Sequence, residues 1–240
     1  MIDAHCHLTH FSEPVDPATV SVIVVAVTND LEEFEFVSER YRGNKWVRVA
    51  LGLHPLHVAQ KSPGQIERFL ESIGSARFIG EIGLDRSAAG RSSYESQRIV
   101  FQAVVPQLRS GQFISVHSRD SADQVAEILS LLSCPPVVMH WYSGSRKTAG
   151  ELVRGGHLFS VNSTMLRSRR GRELLEVVPP DRILIESDAP YGGARTATSW
   201  AEGLQSVARY LAGQWQSSPA SAVQQVGRNV MRLLDKPAAS

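Results

Sequence analysis

Met1-Ile2-Asp3-Ala4-His5-Cys6-His7 opens the chain as a short apolar run that ends in two imidazoles. Side chains alternate along a strand, so His5 and His7 leave by one face and can grip a single cation, while Cys6 points the other way and packs. Seven further runs repeat this apolar or β-branched character, at 21–27, 46–51, 77–81, 113–117, 137–140, 157–161 and 182–186. Each is too short for anything but a strand. Helical patterns with three- and four-residue apolar spacing lie between most of them, at 31–42, 93–109, 120–132 and 169–178. Two more helices close the chain near 199–211 and 219–234, the latter with Ser218 as N-cap and Pro219 at its first position.

Strands that alternate with helices pair in parallel through right-handed crossovers. Eight such units predict an α/β fold, a TIM-type (β/α)8 barrel, with an open doubly wound sheet as the alternative. The segment 8–20 carries Pro14 and Pro17 and is too short for a crossover helix with its loops, so the first βα unit is expected to be abbreviated. No linker, charge block or internal repeat divides residues 1–240, which predicts a single domain.

Composition narrows the partners. With 42% hydrophobic residues the chain builds a buried core, and a formal net charge of +1 supplies no global field for a polyanion. Nucleic acid would have to be held by a local basic patch or by metal ions. Cys6 and Cys134 form no disulfide framework and match no zinc-finger spacing, which fits a reducing compartment. The start of the chain lacks a basic segment followed by an apolar run, and no stretch approaches roughly 18 uninterrupted apolar residues, so a cytoplasmic protein without membrane partners is expected.

The polar residues are not scattered. A charged group or imidazole in a strand buried on both faces is costly unless it is paired or ligates a metal. Here such groups stand at strand ends: His5 and His7 on the first strand, His54 after the third, Glu81 on the fourth, His117 on the fifth, His140 on the sixth, Glu186 and Asp188 after the eighth. All are C-terminal ends, the pole at which such barrels carry their active sites. The set suits two divalent metal ions, with His5, His7 and Asp188 on the first, His117 and His140 on the second, and Glu81 bridging. Two cations about 3.5 to 4 Å apart lower the pKa of water enough to supply a nucleophile at neutral pH. Nitrogen and oxygen ligation without thiolate suits Zn, Mn or Mg.

Six ordered motifs then resemble the TatD family of metal-dependent deoxyribonucleases, among the amidohydrolase-type barrels, nearly end to end. They are Asp3-Ala4-His5-Cys6-His7-Leu8, Gly52-Leu53-His54-Pro55, Gly80-Glu81-Ile82-Gly83-Leu84-Asp85, Val116-His117-Ser118-Arg119-Asp120, His140-Trp141-Tyr142-Ser143-Gly144 and Glu186-Ser187-Asp188-Ala189-Pro190-Tyr191. The resemblance implies a metal-dependent hydrolase acting on DNA phosphodiesters, commonly from a 3′ end on single strands. The compact length and His140-Trp141-Tyr142 are also similar to TatD-like proteins of bacterial anti-phage systems such as the Qat type, which implies protein partners in a defence complex. The chain departs from the family pattern in its curtailed first helix, in His57 following Leu56, and in Arg86-Ser87 after Asp85, departures that bear on substrate fit.

On this resemblance Asp188 holds one ion and takes a proton from the attacking water, a role open also to Glu186, which is otherwise expected to orient a ligand histidine. His54 is expected either to hydrogen-bond a phosphate oxygen or to cap the turn before Pro55. Arg119 forks onto phosphate or pairs with Asp120 or Asp123. The run Arg167, Arg169, Arg170 and Arg172 offers a salt-dependent track for a polynucleotide, or a solvated helix face. Trp141, Tyr142 and Tyr191 follow ligands, where bases of a single strand can stack, or pack at the rim. An amide or ester hydrolase on the same framework is the competing enzyme class. Such barrels often bridge their metals with a carboxylated lysine, but Lys45, Lys61, Lys147 and Lys236 lie off the strand ends and Glu81 takes the bridging slot.

Overall fold

The computed structural model describes residues 1–235. Its strands are β1 (Ile2–Cys6), β2 (Ile23–Val27), β3 (Val47–Ala50), β4 (Phe78–Gly83), β5 (Phe113–His117), β6 (Val138–Met139), β7 (Leu158–Val161) and β8 (Ile183–Ile185). Every neighbouring pair is parallel, in the orders β1-β2-β3 and β4-β5-β6-β7-β8. Two seams join these into a ring. At one, Leu51 bridges Ile79, with Leu51 N–H donating to Phe78 at 2.9 Å and Gly80 N–H to Leu51 at 2.8 Å. At the other, Cys6 bridges Ala189, with Asp188 N–H donating to His5 and His7 N–H to Ala189, both at 2.9 Å. The expected barrel is the fold.

Side chains hold the seams shut. Asp3 is fully buried: Oδ1 accepts from Ser187 N–H at 2.9 Å and His5 N–H at 3.1 Å, and Oδ2 from the Ser187 hydroxyl at 2.5 Å and Trp200 Nε1 at 2.6 Å. One carboxylate therefore ties the first strand to the end of the last and to the helix outside it. Gly52 serves the opposite seam, where a Cβ would stand 1.7 Å from the Thr28 carbonyl oxygen.

The helices are α1 (Leu31–Arg40), α2 (Pro63–Ile73), α3 (Tyr94–Val104), α4 (Ala122–Leu131), α5 (Arg146–Arg154), α6 (Ser163–Arg167), α7 (Arg169–Leu174), α8 (Ala197–Gln214) and α9 (Pro219–Leu234). Starts follow capping chemistry: Ser62 and Gln65 form a capping box ahead of Pro63, and Ser218 accepts from Ser221 N–H as expected. Some ends fall short of the sequence pattern. Pro106 cannot continue α3, so a 3-10 turn (Val105–Gln107) replaces the tail expected to residue 109. Helix α1 closes at Arg40 rather than at 42, and α7 closes at Leu174 rather than at 178, with Val178 N–H still donating to Leu174 at 3.0 Å. Residues 8–20 form two 3-10 turns, Leu8–His10 and Pro17–Val20, so the first unit is abbreviated as expected. Helix α8 sinks Trp200, Leu204, Val207 and Leu211 against the strands, one apolar face repeated at helical spacing. Each such burial is worth about 1.5–3 kcal/mol. No helix among the described residues is long and apolar enough to cross a membrane.

Candidate active site

The parallel ring delivers the C-terminal strand ends to one pole, and six predicted ligands meet there. His5 Nε2 lies 3.3 Å from His7 Nε2, 3.4 Å from Glu81 Oε2 and 3.7 Å from Asp188 Oδ1. His7 Nε2 stands 3.3 Å from the same Glu81 oxygen and 3.6 Å from Asp188 Oδ1. Donors held about 2.0–2.2 Å from one ion in a tetrahedron stand about 3.3–3.6 Å apart, so His5, His7 and Glu81 are spaced to hold a divalent cation, with Asp188 Oδ1 beside both rings. The other oxygen of Glu81 faces a different set. Its Oε1 lies 2.5 Å from His117 Nδ1, 3.6 Å from His140 Nε2 and 3.7 Å from His54 Nε2. Glu81 thus stands between two groups of imidazoles, one carboxylate oxygen toward each.

Hydrogen bonds behind the rings decide which nitrogens are free. His5 Nδ1 meets Ser115 Oγ at 2.8 Å, and His117 Nε2 donates to Asp85 Oδ2 at 3.0 Å. His140 Nδ1 donates to Glu186 Oε2 at 2.9 Å, which leaves the Nε2 lone pair toward Glu81. Glu186 is saturated: Ser160 donates a short bond to Oε2, and Oε1 accepts from Asn162 Nδ2 at 3.0 Å and Trp141 N–H at 3.1 Å. It meets no arginine; its place is behind His140. His54 differs from the others, because its Nδ1 accepts from Leu56 N–H at 3.1 Å and its Nε2 must carry the hydrogen. The two expectations for His54 are one arrangement: capping the turn turns its other nitrogen into a donor aimed at the site.

The electrostatics show a cluster short of positive charge. Burial pushes the Asp188 carboxyl well above the usual range, with Glu81 and Glu186 adding to it. Burial drives His5 down to about 4 and His54 to about 3. It opposes charge on His117 and His140 too, but Glu81 and Asp85 lift His117 to about 9, and Glu186 with Glu81 lifts His140 to about 10. Glu81 is held well below the carboxylate range against its burial, by His54, His117, His5 and His140. Protons here do what a bound cation would do better, and Asp188 stays raised by burial, Glu81 and Glu186 although His140 and His117 pull it down. Backbone strain gathers at the same place, with φ of +47° at Asp188 and +35° at Trp141, a left-handed geometry costing about 1–3 kcal/mol at such residues.

Above the cluster a cavity of about 590 Å³ is lined by Arg119, Trp141 and Tyr191 together with His54, His57 and Asn29. Tyr191 is 62% exposed. Arg119 stands exposed on the cavity rim, and Asp123 is engaged by the Thr148 hydroxyl at 2.5 Å. Tyr142 does not reach the cavity. It is buried edge-on against Phe159, and its hydroxyl donates to Ser145 at 2.9 Å, so stacking on a base is corrected to core packing. The arginines after β7 stand on an exposed face: Arg169 pairs with Glu173 at 2.6 Å, Arg172 donates to the Leu166 and Arg167 carbonyls at 3.0 Å, and Arg167 donates to Thr164 at 2.9 Å. Cys6 is buried against the Ala189 carbonyl, away from the cluster.

Sequence reasoning passed over Asp85, Ser115, Ser160 and Asn162, the partners that orient the rings. Their signal was present as period-two polarity: Ser115 precedes His117 by two residues, and Ser160 precedes Asn162 by two, so each pair shares a strand face.

A barrel that gathers imidazoles and carboxylates at its C-terminal pole defines a metal-dependent hydrolase, and the comparisons with known proteins agree. A model of the family described as TatD related DNase matches residues 2–235, and the chain belongs to that family. Deoxyribonuclease TATDN3 of Homo sapiens is 26% identical over 265 residues, covering 98% of this chain and 95% of the relative. The 3'-5' ssDNA/RNA exonuclease TatD of Erwinia billingiae is 29% identical over 185 residues, covering 72% of this chain and 69% of the relative. Among solved structures, the TatD homolog YJJV of Escherichia coli superposes with a TM-score of 0.78 at 22% identity, covering 99% and 98% of the two chains. The organophosphorus hydrolase of Deinococcus radiodurans shares the fold with a TM-score of 0.55 at 14% identity, covering 91% and 80%.

Proposed function

We infer that the chain is a two-metal nuclease that removes nucleotides from single-stranded DNA, working from a 3′ end, as one hydrolase unit in a reducing, cytoplasmic setting. The observation that carries this reading is Glu81, whose Oε2 faces His5 and His7 at 3.4 and 3.3 Å while Oε1 faces His117 and His140 at 2.5 and 3.6 Å. His5, His7, Glu81 and Asp188 would hold one ion, and Glu81, His117 and His140 the other. Divalent ions so held supply charge for the phosphate oxygens, a nucleophile from water at neutral pH and help for the departing alkoxide.

The chain's own residues do the rest. Asp188 lines the cavity and takes the proton of the attacking water. His54, with its hydrogen on Nε2, donates to a nonbridging phosphate oxygen, and Arg119 at the rim forks onto the neighbouring phosphate. Trp141 and Tyr191 offer faces for unpaired bases, which favours a frayed end over intact duplex. Glu186 keeps His140 in its working tautomer. The 3′-to-5′ polarity rests on the exonuclease names of the bacterial relatives.

The test is to strip the protein of metal and incubate it with single-stranded and duplex DNA labelled at either end, restoring Mg, Mn or Zn one at a time. Ion-dependent shortening of single strands from the 3′ end is expected. Absence of cleavage with every ion refutes the reading.

A further inference from the structure

Four of the five imidazoles around Glu81 have a hydrogen-bond partner behind them, and His7 does not. Ser115 backs His5, Asp85 backs His117 and Glu186 backs His140, at 2.8, 3.0 and 2.9 Å, and Leu56 N–H backs His54 at 3.1 Å. His7 Nδ1 is buried without a hydrogen-bond partner among the described residues. A ring in that position is free to swing about its χ2 unless packing stops it, and packing is what surrounds it. His10 stacks on its face with centroids 4.9 Å apart and planes 10° from parallel, and Tyr191 stands edge-on at 5.2 Å and 86°.

His10 is itself tied on both nitrogens. Its Nε2 lies 3.3 Å from Glu33 Oε1 and 3.2 Å from Asn29 Nδ2, and its Nδ1 lies 2.8 Å from the Tyr191 hydroxyl. Glu33 is fixed in turn by a short bond from the Thr9 hydroxyl and by Asn29 N–H at 2.7 Å. One imidazole that is not a ligand therefore touches two groups of the cavity, a ligand ring by its face and a substrate-facing phenol by its edge.

We propose that His10 is a positioning residue that holds His7 for metal binding by stacking and Tyr191 for substrate by a hydrogen bond, with Glu33 as its anchor. The proposal rests on the metal centre inferred above. Stacking and hydrogen bonding separate in two conservative variants: His10→Phe keeps a ring against His7 but gives up Tyr191, and Tyr191→Phe gives up the same bond while leaving His10 in place.

The test measures zinc affinity of the metal-stripped full chain by calorimetry, and KM and kcat on a single-stranded oligonucleotide. His10→Ala is expected to bind zinc about 10- to 100-fold more weakly at the His5–His7 position, the loss typical of removing a group that orients a ligand. His10→Phe is expected to restore wild-type zinc affinity. His10→Phe and Tyr191→Phe are each expected to raise KM about two- to tenfold with kcat little changed, the size of one net hydrogen bond. Circular dichroism checks that each variant folds, and His10→Phe alone decides the substrate arm if His10→Ala does not. Wild-type zinc affinity in folded His10→Ala, or an unchanged KM in both phenylalanine variants, overturns the role of His10. A wild-type chain that takes up no ion refutes the metal centre itself and the stacking role with it.

Discussion

Replacing Glu186 with glutamine puts a single hydrogen in conflict with the geometry of the site. The carboxylate accepts four bonds, from His140 and Ser160 on Oε2 and from Asn162 and Trp141 on Oε1. An amide must turn its NH₂ toward one pair. Toward Oε1 it meets a backbone N–H that cannot adapt and an Asn162 amide that cannot flip without releasing Met165 N–H, which its oxygen caps at 2.9 Å. Toward Oε2 the Ser160 hydroxyl can rotate to accept, but His140 must shift its proton from Nδ1 to Nε2. That hydrogen then points at Glu81, 3.6 Å away, and the lone pair needed for a cation is gone. Keeping the original tautomer instead leaves a buried donor unpaired, at about 1–3 kcal/mol, or roughly 5- to 150-fold. Removing a group that orients a ligand generally costs about 10- to 100-fold in metal affinity, within the same range. Zinc titration of metal-stripped Glu186→Gln is thus expected to weaken the position that uses His140 by about 10- to 100-fold and to spare the one at His5 and His7. Nitrogen NMR of His140 in the zinc-loaded protein reads directly whether Nδ1 keeps its proton. Unchanged binding at both positions, with the proton still on Nδ1, would refute the reasoning.

Other outcomes follow from the same geometry. His54→Ala is expected to cut kcat/KM by about 10- to 100-fold while zinc stoichiometry stays at the wild-type value, because its Nε2 is a donor to a charged group; loss of an ion would make His54 a ligand instead. Gly52→Ala places a Cβ 1.7 Å from Thr28 O and 2.7 Å from Glu81 N, and calorimetry is expected to show a loss of about 3 kcal/mol or more, a midpoint lower by roughly 6–12 °C. An unaltered midpoint counts against the seam. Glu33 is held down to about 2 by His10, Thr9 and Asn29 N–H although burial opposes it. Its contribution is full above the ordinary glutamate value of 4.5 and is lost as pH falls from there toward about 2. The stability gap between wild type and Glu33→Gln should therefore be level near neutrality and close in that acidic window; a gap indifferent to pH contradicts it.

Most of the barrel was legible because parallel strands buried on both faces are written as short unbroken apolar runs, and all eight fall where the pattern puts them. Helices were less evenly visible. The Ile66, Phe69, Leu70 and Ile73 spacing of α2 is as regular as that of α4, yet Pro63 and Gly64 obscure its start until Ser62 is seen to cap it. The clustering of the six site residues was legible because a buried charge is rare enough to mark its position. What stayed hidden is which atom of each ring is free, since that depends on contacts across the barrel such as Ser115 to His5 and Asn162 to Glu186, 110 and 24 residues apart. Spacing reads faces of strands; it does not read partners around a ring.

Asp3 binds the two ends of the ring together two residues before His5 and within one residue of Asp188, so closing the barrel and bringing Asp188 to His5 and His7 are a single event. A chain emerging from the ribosome carries His5 and His7 long before it has Asp188 to offer. The cluster is in this sense incomplete until the chain is whole, and an ion bound there would stabilise the seam by the same free energy with which it was held.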